Sequence, residues 1–352
     1  MLRKGTFILM KTKIQDMTSG SPGRLIILFA IPLMLGNICQ QLYTMVDTMV
    51  VGQVAGVEAL AALGAVDFLM WVVTGISTGL TQGFSIQLSQ YYGAKDFENL
   101  RKSLAHSYRL TAFIAAGVLI LSQSFASLVL TGLHTPSNII GMSLLYLRII
   151  FCGIPATAAY NMFASALRAM GNSKTPLTAM IIASVLNVSL DILFVAGFGW
   201  GVAGAAIATV IAQSFSAVYC FLILRRIDIV HLTRADFMPA SGMNARLMKL
   251  GIPVVFQNII IGVGGLVVQY VINGYGFLFV AGFTATNKLY GLLEMAAISY
   301  GYAIVTYVGQ NLGAGKIDRI RKGVRSSMLL SLLTSLIISA AMFLFGKNIL
   351  SL

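Results

Sequence analysis

Nine apolar runs follow one another along the chain, near residues 25–50, 57–91, 104–131, 138–166, 175–197, 202–224, 247–272, 278–311 and 324–346. A helix needs about 20 residues to cross a ~30 Å hydrocarbon core, and each run is long enough. Only 10% of the residues are charged, 57% are hydrophobic, and the mean hydropathy is +0.86. Soluble domains carry about 25% charged residues, so these runs avoid water by lying in a membrane. The expected fold class is an all-α polytopic membrane protein.

A formal net charge of +13 raises the question of nucleic acid, and the placement of the charges answers it. Twenty-one of the 24 Lys and Arg precede the first run or follow the second, fourth, sixth and eighth. The loops after runs one, three, five and seven carry none. Cytoplasmic loops concentrate Lys and Arg, so the pattern predicts a cytoplasmic N-terminus and needs no nucleic-acid partner. Residues 1–20 lack a cleavable signal pattern and read as a cytoplasmic tail. Cys39, Cys152 and Cys220 sit inside apolar runs without paired spacing and read as small buried hydrophobes.

The chain repeats itself. "LFAIPLMLGN" (28–37) matches "KLGIPVVFQN" (249–258), with Pro32 over Pro253 and Asn37 over Asn258, an offset of 221. "QYYGAKDFENLRK" (90–102) matches "QNLGAGKIDRIRK" (310–322) at an offset of 220. The period spans six helices, an even number, so the repeats share one orientation, a transporter architecture. The first lobe is expected over 21–228, a cytoplasmic linker over 229–243, and helices seven to nine of a second lobe over 244–352. About nine of twelve helices are then present, with the second repeat half complete.

An ionisable side chain at mid-bilayer costs ~2.5–3.5 kcal/mol on insertion scales, so such residues face a cavity or a partner. Asp47 falls 23 residues after Arg24, about 35 Å along a helix, in the outer part of the first span. Asp191 and Asn187 lie four apart, on one face of the fifth span, in its outer half. Thr209 and Gln213 lie four apart, one to two turns below the outer surface, on the sixth. Asp47, Asn187, Asp191 and Thr209 thus reach a similar depth from three spans. Two carboxylates in a low-dielectric pocket cannot both stay charged cheaply. Such a pair takes up a proton or is neutralised by a small hard cation, and the alternative is capping of nearby backbone. Asp67 reads as solvated near the outer surface. Arg148 either lines a cavity or meets lipid or backbone. Lys288 and Glu294 do not share a face, and Glu294 is a cavity candidate from the second lobe. Pro32, Pro155 and Pro253 read as helix kinks.

"IPLMLGNICQQLYTMVDTMVVGQVAGVEALAALG" (31–64), "SQYYGAKD" (89–96), "YLRIIFCGIPATAAYNMFASALRAMGNSKTPL" (146–177) and "YVGQNLGAGK" (307–316) resemble the multidrug and toxin extrusion (MATE) family, nearest its prokaryotic DinF-like branch. The resemblance covers nearly all of 21–346 and implies two six-helix lobes around a V-shaped cavity, C-terminally truncated here. It implies a secondary antiporter of a bacterial cytoplasmic membrane, exporting small organic, often cationic compounds for inward Na⁺ or H⁺, and monomeric when full length. By resemblance the cation site falls on Asp47, Asn187, Asp191 and Thr209, with Ala205 offering a backbone carbonyl. Asn37, Gln40, Tyr43 and Gln213 join Pro32 as helix-bending and cavity candidates. The seventh-helix acid of some members has no counterpart in 251–265.

The rival readings are a flippase for a lipid-linked glycan, which calls for a more cationic cavity, and a non-transporting remnant. An enzyme is not expected. His106, His134 and His231 lie in or next to loops without metal-ligand spacing, no nucleophile sits beside a base, and no cofactor is implied beyond the coupling ion.

Overall fold

The structure, a computed structural model, describes residues 14–132, 135–273 and 277–350. Within these, the side chains at 67–68, 266, 269–270, 272–273, 277–290, 292–293 and 345–350 are not described. Arg3, Lys4, Lys11, Lys13 and His134, and the side chains of Asp67, Lys288 and Lys347, therefore lie outside the described residues.

Among the described residues the chain is helical without strands. The helices are α1 (Pro22–Val54), α2 (Val57–Gly64), α3 (Asp67–Gly93), α4 (Phe97–Gly132), α5 (Ile140–Cys152) and α6 (Ile154–Ala169). They continue with α7 (Lys174–Asp191), α8 (Gly201–Leu224), α9 (Met243–Asn273), α10 (Phe277–Gly313) and α11 (Ile317–Leu350). Six spans are long and apolar enough as single helices, namely α1, α4, α7 with its continuation to Gly197, α8, α9 and α11. Two more are bent pairs, α2–α3 at 43° and α5–α6 at 46°. The second bend falls at Gly153, just before Pro155, whose ring cannot continue the helical ladder. The remaining apolar run coincides with α10. The chain is a multi-pass membrane protein.

The helices outrun the apolar runs that announced them. Backbone hydrogen bonding continues past the hydrocarbon edge, where Lys and Arg reach the interface, so α11 starts at Ile317 rather than 324. Side chains fix the starts. Asp96 Oδ1 accepts the Asn99 N–H at 3.1 Å ahead of α4, and Asn172 Oδ1 accepts the Thr175 N–H at 3.0 Å at the head of α7. Both satisfy donors that a helix leaves open at its N-terminus. Pro22 opens α1, where its missing N–H is no loss.

The repeats pack on each other through equivalent elements. α1 packs against α10, and its counterpart α9 packs against α3. Asn37 of α1 donates to Ser299 Oγ at 3.1 Å, while its repeat partner Asn258 donates to the Gly75 carbonyl at 3.2 Å. At the end of α3, a Cβ on Gly93 would overlap the Gln310 backbone, and a Cβ on Gly313 would overlap that of Gln90. These are the same two positions of the repeated motif, exchanged. The crossing is the local signature of a pseudo-twofold axis.

Residues 14–20 are packed chain rather than a loose tail. Met17 is fully buried among Ile26, Phe29, Tyr300 and Tyr307, between α1 and α10. His106 likewise departs from the loop reading: it lies within α4, buried, with Nδ1 2.7 Å from Asn244 Oδ1 and Nε2 3.1 Å from the Met238 carbonyl. Cys220 is buried, Cys39 is partly so, and Cys152 is exposed.

The linker after α8 is held by a reciprocal cap. Asp236 Oδ2 accepts the Thr233 N–H at 2.7 Å and its hydroxyl at 2.8 Å, and Oδ1 sits 3.6 Å from Arg101 of α4. Burial works to raise the Asp236 carboxyl, but the Thr233 bonds and Arg101 outweigh it and hold it below the usual carboxylate value. A carboxyl held low stabilises above its unfolded pKa, and that support is lost as pH falls through the folded one. Asp236→Ala is expected to cost about 1 kcal/mol, the usual worth of a cap. The check is the thermal midpoint of detergent-purified protein at pH 7.

Candidate functional site

The C-terminal halves of α1 and α7 and the N-terminal half of α8 carry the four oxygen-bearing residues of interest. Asp47 of α1 is 6% exposed, and Asn187 and Asp191 of α7 are fully buried, as is Ala205 of α8. Asn187 Nδ2 reaches Thr209 Oγ1 of α8 at 3.4 Å, a long bond that joins the two helices. Neither Asp191 carboxylate oxygen has a hydrogen-bond partner among the described residues, nor has Asn187 Oδ1. α1 packs against α7 and the turn that follows it, which sets Asp47 at the same end of the bundle as Asp191. Directly after Asp191 the chain widens into a π-helical turn, Ile192–Gly197, a feature that in helices marks functional positions. The rings of Phe194, Phe198 and Trp200, with centroids 5.0–6.0 Å apart, close that end.

Buried oxygens without donors cost free energy and suit a partner that arrives. Carboxylate, amide and hydroxyl oxygens favour a hard cation or a proton over a transition metal. Among the described residues no group of three or more His, Cys, Asp or Glu stands ready for a metal.

Beside this cluster lies a cavity of about 640 Å³. Pro32, Asn37, Gln40, Tyr43 and Asp47 line it from α1, and Thr209 and Gln213 from α8. Trp71 and Thr78 contribute from α3, and Tyr160, Asn161 and Arg168 from α6. Ile298 and Tyr302 of α10 make the second repeat's wall. Gln213 Nε2 donates to Tyr43 Oη at 3.4 Å. Asn187 and Asp191 are not on this wall. Asp47 and Thr209 therefore belong to both places, and the oxygen cluster touches the cavity through them.

The structure does not bring Arg148 or Glu294 to the cavity. Both side chains are exposed, and Arg148 participates through its carbonyl, which accepts from Gln123 Nε2 at 2.8 Å. Among the described residues the cationic side chain on the wall is Arg168, which charge counting alone assigns to a loop. It donates to Ser165 Oγ at 2.8 Å and lies 4.8 Å over the Tyr302 ring. Its place in the helical "FASALRAM", in the last turn of α6, is the signal that marks it. A broader trough of about 830 Å³ along Val324, Met328 and Leu332 of α11 is an apolar outer face of a single helix.

Comparison with known proteins bears on the family and the fold. The family model described as MatE matches residues 32–193 and 253–352. The chain is 32% identical over 308 residues to the probable multidrug resistance protein YpnP of Bacillus subtilis, covering 88% of this chain and 69% of that one. It is 26% identical to the probable multidrug resistance protein NorM of Thermotoga maritima, covering 92% and 70% respectively. A MOP superfamily transporter from Pyrococcus furiosus superposes with a TM-score of 0.90 at 23% identity, over 96% of this chain and 75% of that one, a likeness of fold. The match enters both repeats and takes in the helices that carry Asp47, Asn187 and Asp191: this chain belongs to the MatE family.

Proposed function

We propose that the protein is a secondary antiporter that exports small organic, often cationic compounds in exchange for inward Na⁺ or H⁺. In this reading it sits in a bacterial cytoplasmic membrane with its N-terminus inside, residues 21–228 forming one lobe and 244–352 part of the other. What carries the reading is that Asp47 and Thr209 stand on both the oxygen cluster and the cavity wall. An ion arriving at Asp191 and Asn187 would draw on the same two side chains that face a bound compound. Ion and compound then compete through shared residues, and differential binding of this kind is what shifts a conformational equilibrium. Burial makes the exchange stringent, because an uncompensated carboxylate there is costly. Loading cancels charge, and release toward the cytoplasm restores it.

The names of the relatives, probable multidrug resistance proteins, support the substrate class. The cavity's mixture of aromatic rings, amides and one acid suits amphipathic cations of varied shape. The lipid-glycan flippase is less well supported, since among the described residues Arg168 is the one Lys or Arg lining the cavity and it stacks on a ring.

The test is uptake of a fluorescent organic cation into proteoliposomes under an imposed Na⁺ or pH gradient. Gradient-driven movement of the cation is expected with one of the two ions, and no movement with either would refute the reading. Thr209→Val keeps both carboxylates and removes one oxygen. It is expected to raise the half-saturating ion concentration about tenfold, the worth of one polar contact, with the maximal rate largely kept.

A further inference from the structure

The segment ahead of α1 ties the two repeats together. The Gln15 N–H donates to the Gly171 carbonyl at 3.1 Å, just past the end of α6. The Met17 N–H donates to Gln310 Oε1 at 3.0 Å, and the Met17 carbonyl accepts from Asn311 Nδ2 at 2.9 Å and Arg319 Nη2 at 3.3 Å. Lys316 Nζ reaches the Thr18 carbonyl at 2.8 Å, and Arg319 Nη1 reaches the Gly20 carbonyl at 2.9 Å. Gln310 completes the junction by donating Nε2 to the Ala169 carbonyl of α6 at 2.8 Å. The local turn is set by Asp16, whose Oδ1 accepts the Thr18 N–H and hydroxyl, each at 2.7 Å.

We propose that residues 15–20 form a strap that latches the two repeats at the cytoplasmic floor of the cavity and releases before the cavity opens inward. The proposal rests on the alternating-access reading above, with the N-terminus cytoplasmic. Position argues for it. Arg168 lines the cavity, and the next residues of the same turn, Ala169 and Gly171, are the ones bonded to Gln310 and to the strap. The strap therefore lies directly under the floor, where α6 of the first repeat meets α10 of the second. An inward opening at this seam parts Ala169 from Gln310 and breaks one of the strap's two attachments.

The attachments are unequal. One hydrogen bond holds the strap to the α6 end, while five, two of them from the Arg319 guanidinium, hold it to the second repeat. Bonds with a charged donor are the stronger kind. The bonded strap groups are all main-chain N–H and carbonyl, which water can satisfy when they let go. The buried Met17 side chain fixes the register.

The test follows accessibility rather than transport. In the full chain with Cys39, Cys152 and Cys220 replaced by alanine, Asn161→Cys places a thiol on the cavity wall for a membrane-impermeant maleimide. Arg319→Ala in that background is expected to raise labelling about tenfold in inside-out vesicles, with labelling in right-side-out vesicles unchanged or lower. Met17→Ala, which loosens the strap without removing a charge, is expected to act in the same direction. Unchanged labelling in inside-out vesicles for both variants, with the protein eluting as a single species, would overturn the latch. A rise at both faces, or only in right-side-out vesicles, would overturn it too, the latter by placing the strap on the outer side. Because no ion or compound gradient is used, failure of the antiport reading leaves this result interpretable.

Discussion

Asp191→Asn is expected to leave the protein in the membrane and to reduce ion-driven export about a hundredfold, near the upper end of what a coupling free energy between two sites spans. The substitution preserves shape and removes only the charge. Asp191 is fully buried, and its carboxylate oxygens have no hydrogen-bond donors among the described residues. A protein that keeps such a group carries a cost that hydrophobic packing alone would not impose. The variant should therefore melt no lower than the wild type, and an equal or higher midpoint is predicted. Loss of export without loss of stability separates a working charge from a structural one. Asp47→Asn should behave similarly for export, with an added change in compound affinity because Asp47 also lines the cavity. Normal export by Asp191→Asn at wild-type expression would contradict the account.

The second large effect concerns the crossing of the repeats. Gly93→Ala and Gly313→Ala each place a methyl into backbone of the opposite repeat, at Gln310 and Gln90 respectively. Backbone held by two helices cannot swing aside as a flexible side chain can. Overpacking of this kind costs about 1–3 kcal/mol and occasionally more, and the two substitutions strain the same crossing, so their effects should not simply add. Gly117→Ala in α4 is the control, since nothing lies within 4 Å of its added carbon. It should be neutral or stabilise by about 0.5–1 kcal/mol. Thermal midpoints of the purified proteins decide the matter. Equal behaviour of Gly93→Ala and Gly117→Ala would mean that the crossing is not as tight as described.

The helices were legible because the bilayer imposes them: a run of apolar residues of spanning length has one way to satisfy its backbone. The repeat was legible as well, through Asn37 and Asn258 and through Gly93 and Gly313, whose contacts now give physical reasons for the matched letters. Counting depth from helix ends put Asp47, Asn187, Asp191 and Thr209 near one another, because rise per residue is constant along a helix. Depth says nothing of azimuth, however. Arg148 lies at a plausible depth on the wrong face of α5. Glu294 fails along the axis instead: it is one helical turn from Ile298, on nearly the same face of α10, but exposed, while Ile298 and Tyr302 reach the cavity. Arg168 was hidden for the opposite reason, being counted with the loop charges. The strap was invisible because its contacts reach nearly 300 residues along the chain. Nothing periodic in Gln15–Gly20 announces a partner.

The most direct measurement of the central claim is ion counterflow. Purified protein in proteoliposomes containing both a Na⁺-sensitive and a pH-sensitive dye would be given a gradient of an organic cation. The wild type should move Na⁺ or H⁺ against the flux of the cation, and Asp191→Asn should move neither. Ion counterflow of wild-type size in Asp191→Asn, or compound movement by the wild type with neither ion responding, would contradict the assignment of Asp47, Asn187, Asp191 and Thr209 as the coupling site.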